Sequence, residues 1–97
     1  MKTEDLIPVE QIITHYQVEV SFLDILSDSG LIEITTVEET RYVQKEQMSE
    51  LEKMIRLHYE LDINTEGVET ITYLLKRVEL LQEEIVTLKN RLGIYEE

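Results

Sequence analysis

Few side chains in this sequence are spaced for covalent chemistry. His15 and His58 lie 43 positions apart, and neither belongs to a His-x-x-x-His or Glu-x-x-His pair, so the spacing of a metal site is missing. Each histidine is expected at a helix surface or boundary. The chain has no Cys, which removes thiolate nucleophiles, thiolate metal ligands and disulfides together and is compatible with a reducing, intracellular home. Glycines stand singly at positions 30, 67 and 93, so no phosphate-cradling loop is formed. The adjacent carboxylates Glu38-Glu39 and Glu83-Glu84 are expected on exposed, solvated turns or faces, where they keep ordinary acidity and make poor acid–base pairs. No cofactor and no enzymatic activity are expected.

What remains is charge. Acids outnumber Lys and Arg by 21 to 9, a formal net charge of −12, which disfavours a sequence-independent grip on nucleic acid or anionic lipid. From Thr3 to Thr40 there is no Lys or Arg at all. Most such biases only keep a surface solvated, but an uninterrupted acidic stretch also selects what can dock on it: a basic protein surface fits and a phosphate backbone does not.

The elements that must carry this surface follow from periodicity. Pro8 suits a first helical turn, and Val9, Ile12, Ile13 and Tyr16 follow at i, i+3, i+4 and i+7, which predicts a short helix over 8–16. A second helix is expected from Glu19, burying Phe22, Leu23 and Leu26 and stopping at Gly30. Two short helices and a tight turn make a helix-turn-helix. Ile32 and Ile34 then alternate around Glu33, and Arg41-Tyr42-Val43 can return antiparallel as a small β-hairpin, with no Asn-Gly or Asp-Gly to fix its turn.

A third helix over roughly 45–61 carries Met48, Leu51, Ile55 and His58 or Tyr59 on a stripe that Met54, Leu57 and Leu61 widen. After a break capped by Asn64, the residues Ile71, Leu74, Val78, Leu81, Ile85, Leu88, Leu92 and Tyr95 step by alternating threes and fours, the seam of a coiled-coil helix. Val68, Ile71, Leu74 and Leu75 are expected to complete the core with the third helix. Nearly thirty helical residues span ~40 Å, further than a head of this size can cover, so Leu81, Ile85, Leu88, Leu92 and Tyr95 are expected to meet a second chain. The direction of that pairing stays open.

A chain of 97 residues fits one small domain, here divided into a head over 1–62 and a coiled-coil helix over 63–97. No apolar run approaches a membrane span, and the opening residues MKTEDLIP carry acids where a signal peptide would be apolar, so a cytoplasmic location without membrane contact is expected. The tyrosines and Phe22 are expected mainly as core anchors.

The order of these parts resembles the head of a MerR-type regulator: winged helix-turn-helix, third helix, capped break, long heptad helix, a mainly α fold with a small β-hairpin wing. The segments Leu57–Val68, Leu88–Leu92, Ser29–Glu33 and Leu51–Leu57 are similar to the chaperone-modulator family CbpM. That resemblance runs over essentially the whole chain and implies a cytoplasmic protein that binds the J-domain of a DnaJ/CbpA-like co-chaperone and blocks its stimulation of the DnaK chaperone. A J-domain engages DnaK through a positively charged helix, so an acidic surface would compete for it. The second helix, which carries Arg and Tyr to DNA in MerR relatives, here presents Asp24 and Asp28, and the hairpin presents Glu38 and Glu39 with only Arg41. Asp24, Asp28, Glu33, Glu38 and Glu39 are therefore the candidate partner contacts, although the family likeness does not mark them. The alternative is a MerR-type DNA-binding transcriptional regulator, which Arg41, Lys45, Lys53 and Arg56 would have to sustain. A coiled-coil adaptor with another client is a third class.

Overall fold

The structure, a computed structural model, describes residues 5–93. The first helix expected from Pro8 begins one residue later: α1 spans Val9–Tyr16, and Pro8 holds its N-cap in an extended conformation. Pro8 instead closes a short strand, β1 (Leu6–Pro8), that periodicity did not reveal because three residues are too few to alternate. β1 lies at a sheet edge, where the missing proline N–H disrupts no ladder.

Gln17, with φ +57°, ends α1, and its neighbour Val18 returns an N–H to the Ile13 carbonyl. Three residues later α2 (Val20–Asp28) starts, with Glu19 at its N-cap. The end of α2 follows from Gly30. Its φ of +80° lets the Leu31 N–H donate to the Leu26 carbonyl at 2.9 Å and the Gly30 N–H to the Ser27 carbonyl at 3.0 Å, the paired bonds of a Schellman cap. The chain then forms β2 (Ile34–Val37) and β3 (Thr40–Gln44). β3 is central in an antiparallel sheet ordered β1-β3-β2, so the expected hairpin is two-thirds of a three-stranded sheet.

The third helical run is not uniform. Lys45–Gln47 form a 3₁₀ turn, Met48–Ile55 form α3, and Arg56–Glu60 form a π turn. The wider π turn sets His58 and Tyr59 beside Phe22 of α2: the His58 ring stacks on Phe22 at 4.6 Å, and Tyr59 meets it edge-on at 5.4 Å. His58 also shares a 2.8 Å hydrogen bond with the Ile63 carbonyl across the break. His58 thus sits at the boundary expected of it and His15 at the exposed surface of α1.

Asn64 caps α4 (Thr65–Leu92), its side chain accepting from the Gly67 N–H at 2.8 Å. The chain approaches so closely here that a Cβ on Gly67 would stand 2.6 Å from Ile63 Cγ2.

One core joins α1, α2, β3, α3 and the first turns of α4, centred on Ile12, Leu23, Leu26, Val43, Leu51, Met54 and Val68. Two corrections concern α4 and the aromatic residues. Of Val68, Ile71, Leu74 and Leu75, only Val68 enters the core; Ile71 is half-buried, while Leu74 and Leu75 are 52% and 50% exposed, and Thr72 takes the inward position one turn after Val68. Leu75 shares the face of Val68 and Thr72 and lines the cleft against α3, but it is half exposed because the helix is already leaving the head there, while Leu74 lies off that face. Among Phe22 and the described tyrosines only Phe22 is buried; Tyr16 and Tyr42 are half-buried, and Tyr59 and Tyr73 are exposed. The radius of gyration of 17.0 Å exceeds the ~12–13 Å of a compact domain this long, as a projecting helix requires. Among the described residues, no helix is long and apolar enough to cross a membrane.

Candidate partner-binding face

The surface of α2 and the wing is built from backbone geometry outward. The strands β2 and β3 pair with Val37 opposite Thr40, which leaves a two-residue turn of Glu38 and Glu39. Their φ values are +50° and +69°, the pattern of a type I′ turn. Asn-Gly is the usual pair there because a positive φ pushes a Cβ against its own backbone; here two glutamates bear that strain and hold both carboxylates at the exposed tip.

Asp24 is not a free charge. Its carboxylate accepts a 2.9 Å hydrogen bond from Arg41 Nη1, an ion pair that ties α2 to β3. Both side chains are nearly half exposed, so the pair fixes geometry more than it adds stability. It also occupies the one basic residue among positions 5–44. Asp28 is exposed at the end of α2. Glu33 is placed by its backbone: its N–H donates to Gln47 Oε1 at 2.8 Å and its carbonyl accepts from Gln47 Nε2 at 3.1 Å, so one amide side chain from the 3₁₀ turn clamps the segment before β2. Of the five candidate acids, the structure thus anchors Asp24 to the wing and Glu33 to the entry of α3. Among the described residues, no hydrogen bond or ion pair joins Asp28, Glu38 or Glu39 to another side chain.

The basic residues do not gather. Arg41 is paired with Asp24; Lys45 borders a hollow with Asp5 and Glu46; Lys53 borders the cleft between α3 and α4, 4.0 Å from Glu50; Arg56 borders a groove beside α1. A cluster able to track successive phosphates is not formed by these four.

That groove beside α1 escaped the sequence reading. Its lining joins Tyr16 and Gln17, from the end of α1, to Glu52, Ile55, Arg56, Tyr59 and Glu60. The Tyr16 hydroxyl donates to the Glu52 carboxylate across the two helices. The bond, together with burial and the negative charge of Glu52, raises the Tyr16 hydroxyl above the ordinary tyrosine value of 10.0. Tyr59 is fixed from another side, its oxygen accepting from the Glu19 N–H at 3.0 Å. The spacing Glu52-Arg56-Glu60 would mark i, i+4 ion pairs in a regular helix. None forms, because Glu52 is engaged by Tyr16 and a π turn replaces the α-helical spacing after Ile55. The π turn is the part that sequence could not announce.

Along α4 the seam residues Leu81, Ile85, Leu88 and Leu92 are exposed at 49–70%. Tyr95, the last expected seam residue, lies outside the described residues. The sequence profile of the MerR HTH family regulatory proteins matches residues 7–90, from β1 to the last turn of α4. No curated protein and no solved structure matches the chain significantly.

Proposed function

The chain belongs to the MerR HTH family of regulatory proteins, and from that premise we propose that it regulates by holding a protein and not by holding DNA: it binds the J-domain of a DnaJ/CbpA-like co-chaperone and inhibits its stimulation of DnaK. The observation that carries this reading is the state of the surface where a regulator would meet DNA. The exposed side of α2 and the wing tip offer Asp28, Glu38 and Glu39, while Arg41 of the wing is spent on Asp24. Such a face repels phosphates and attracts a positively charged helix. The resemblance of Leu57–Val68 to the CbpM chaperone modulators supplies the partner. Covering the basic helix of the J-domain would deny it to DnaK.

A second copy of the chain completes the assembly in this reading. Leu81, Ile85, Leu88 and Leu92 form an exposed heptad seam, and such a seam is stable in water when a facing helix fills it. The resulting homodimer presents two acidic heads, and its cytoplasmic location follows the chaperone partner.

The family name also supports a DNA-binding regulator, and one experiment separates the two. Calorimetric titration with a J-domain at about 50 and 300 mM salt should show binding that weakens as charge is screened. Added DnaK should compete. Asp28→Lys with Glu39→Lys is the cleaner charge reversal, because altering Asp24 would also release Arg41. The variant should bind at least tenfold more weakly; undetectable binding of the unaltered protein, with a shift of duplex DNA in its place, would reverse the assignment.

A further inference from the structure

The groove between the end of α1 and the π turn combines an apolar floor, aromatic walls and carboxylates. Ile55 is nearly buried, at 7% exposure, and supplies the floor. Tyr16 and Tyr59 border it, each held in place by a hydrogen bond, to Glu52 and from the Glu19 N–H respectively. Glu52 and Glu60 flank the same space, and among the described residues no partner makes a hydrogen bond or ion pair with the Glu60 side chain. Aromatic faces attract cations through the ring quadrupole, most strongly where water is partly excluded, and a long basic side chain can lay its methylenes on an apolar floor while its charged end meets carboxylates.

We propose that this groove is a specificity notch for one Lys or Arg side chain of the partner, seated over Ile55 between the tyrosines, with its charge toward Glu52 and Glu60. The proposal rests on the J-domain reading and adds a contact outside the five acids of α2, the wing and the segment before it. Charge complementarity selects the occupant: the lining holds two carboxylates and one guanidinium, within a chain of net charge −12, and the proposed partner is basic. Arg56 is the informative exception. It belongs to the same lining, is exposed, forms no ion pair among the described residues, and repels an incoming cation. It tunes the notch against binding too tightly or too broadly, since a like charge beside the seat lowers the affinity of every basic residue that is not otherwise well placed.

The test uses the sign of two opposite charge removals. Glu60→Gln and Arg56→Gln are both surface changes that break no ion pair among the described residues, so neither should alter the melting temperature by more than a degree or two. In titrations with the J-domain, Glu60→Gln should weaken binding about three- to fivefold and Arg56→Gln should strengthen it by a similar factor. Opposite signs would mean that the groove receives an anion, and unchanged affinity in both would mean that the groove stays empty; either result overturns the notch while leaving the J-domain reading intact. Failure of the unaltered protein to bind the J-domain would overturn both.

Discussion

Leu51 in α3 and Leu81 in α4 occupy the same kind of position, an apolar residue in a stripe that returns every three or four residues, yet Leu51 is fully buried and Leu81 is 49% exposed. The head closes on itself because α1, α2, β3 and α3 converge from four directions on one core. Past the cleft that Leu75, Lys76 and Glu79 line with α3, the seam residues Leu81, Ile85, Leu88 and Leu92 stay exposed, and the proposed second copy of the chain would cover them. The contrast teaches that periodicity reports which face must be covered and is silent about what covers it.

Removing a buried leucine should break the head and spare the helix. Leu51→Ala is expected to cost about 2–5 kcal/mol in urea unfolding, whereas Leu81→Ala, measured at concentrations where chains are dissociated, should cost under about 0.5 kcal/mol. Equal costs would mean that the far end of α4 folds back on the head. The seam itself is probed by Leu81→Asp with Leu88→Asp. Charges facing each other across a filled seam should raise the dimer dissociation constant by about 100-fold or more in sedimentation equilibrium, with the helix-turn-helix signature retained in circular dichroism. An unaltered protein that sediments as a monomer at every concentration would remove the second copy from the account.

The wing gives a smaller effect with an opposite sign. Glu38→Asn with Glu39→Gly supplies the residues that a type I′ turn prefers, and should stabilise the head by about 1–2 kcal/mol in urea unfolding while weakening the J-domain complex. Gain in stability without loss of binding would show that the two carboxylates are only tolerated. Smallest is the Tyr16–Glu52 bond. Tyr16→Phe should cost about 1 kcal/mol. Because the folded tyrosine holds its proton above the ordinary value of 10.0, its contribution is complete below pH 10 and fades as pH rises through the higher folded value, so the unaltered protein and Tyr16→Phe should converge in stability at strongly alkaline pH.

Much of this architecture was readable from residue types. The helix stop at Gly30, the Asn64 cap and the long helix that follows it depend on local backbone rules, and the structure places all three where those rules put them. What escaped depends on non-local or disfavoured geometry. β1 exists because β3 offers it an edge; the Glu38-Glu39 turn adopts a conformation that its residues resist; the π turn shifts Tyr59 out of helical register. The candidate acids were legible as a charge bias, but the capture of Asp24 by Arg41 needed the wing to lie against α2, and the groove needed α1 and α3 side by side.

The central claim is that this MerR-type head grips a basic polypeptide in place of DNA. Fluorescence anisotropy of the labelled protein, titrated in parallel with a J-domain and with a duplex of about 30 base pairs at about 50 mM salt, tests it most directly, because low salt gives DNA its best chance. The account predicts saturable binding to the J-domain that weakens at about 200 mM salt, with duplex binding at least 100-fold weaker. Tight binding to the duplex and none to the J-domain would contradict it.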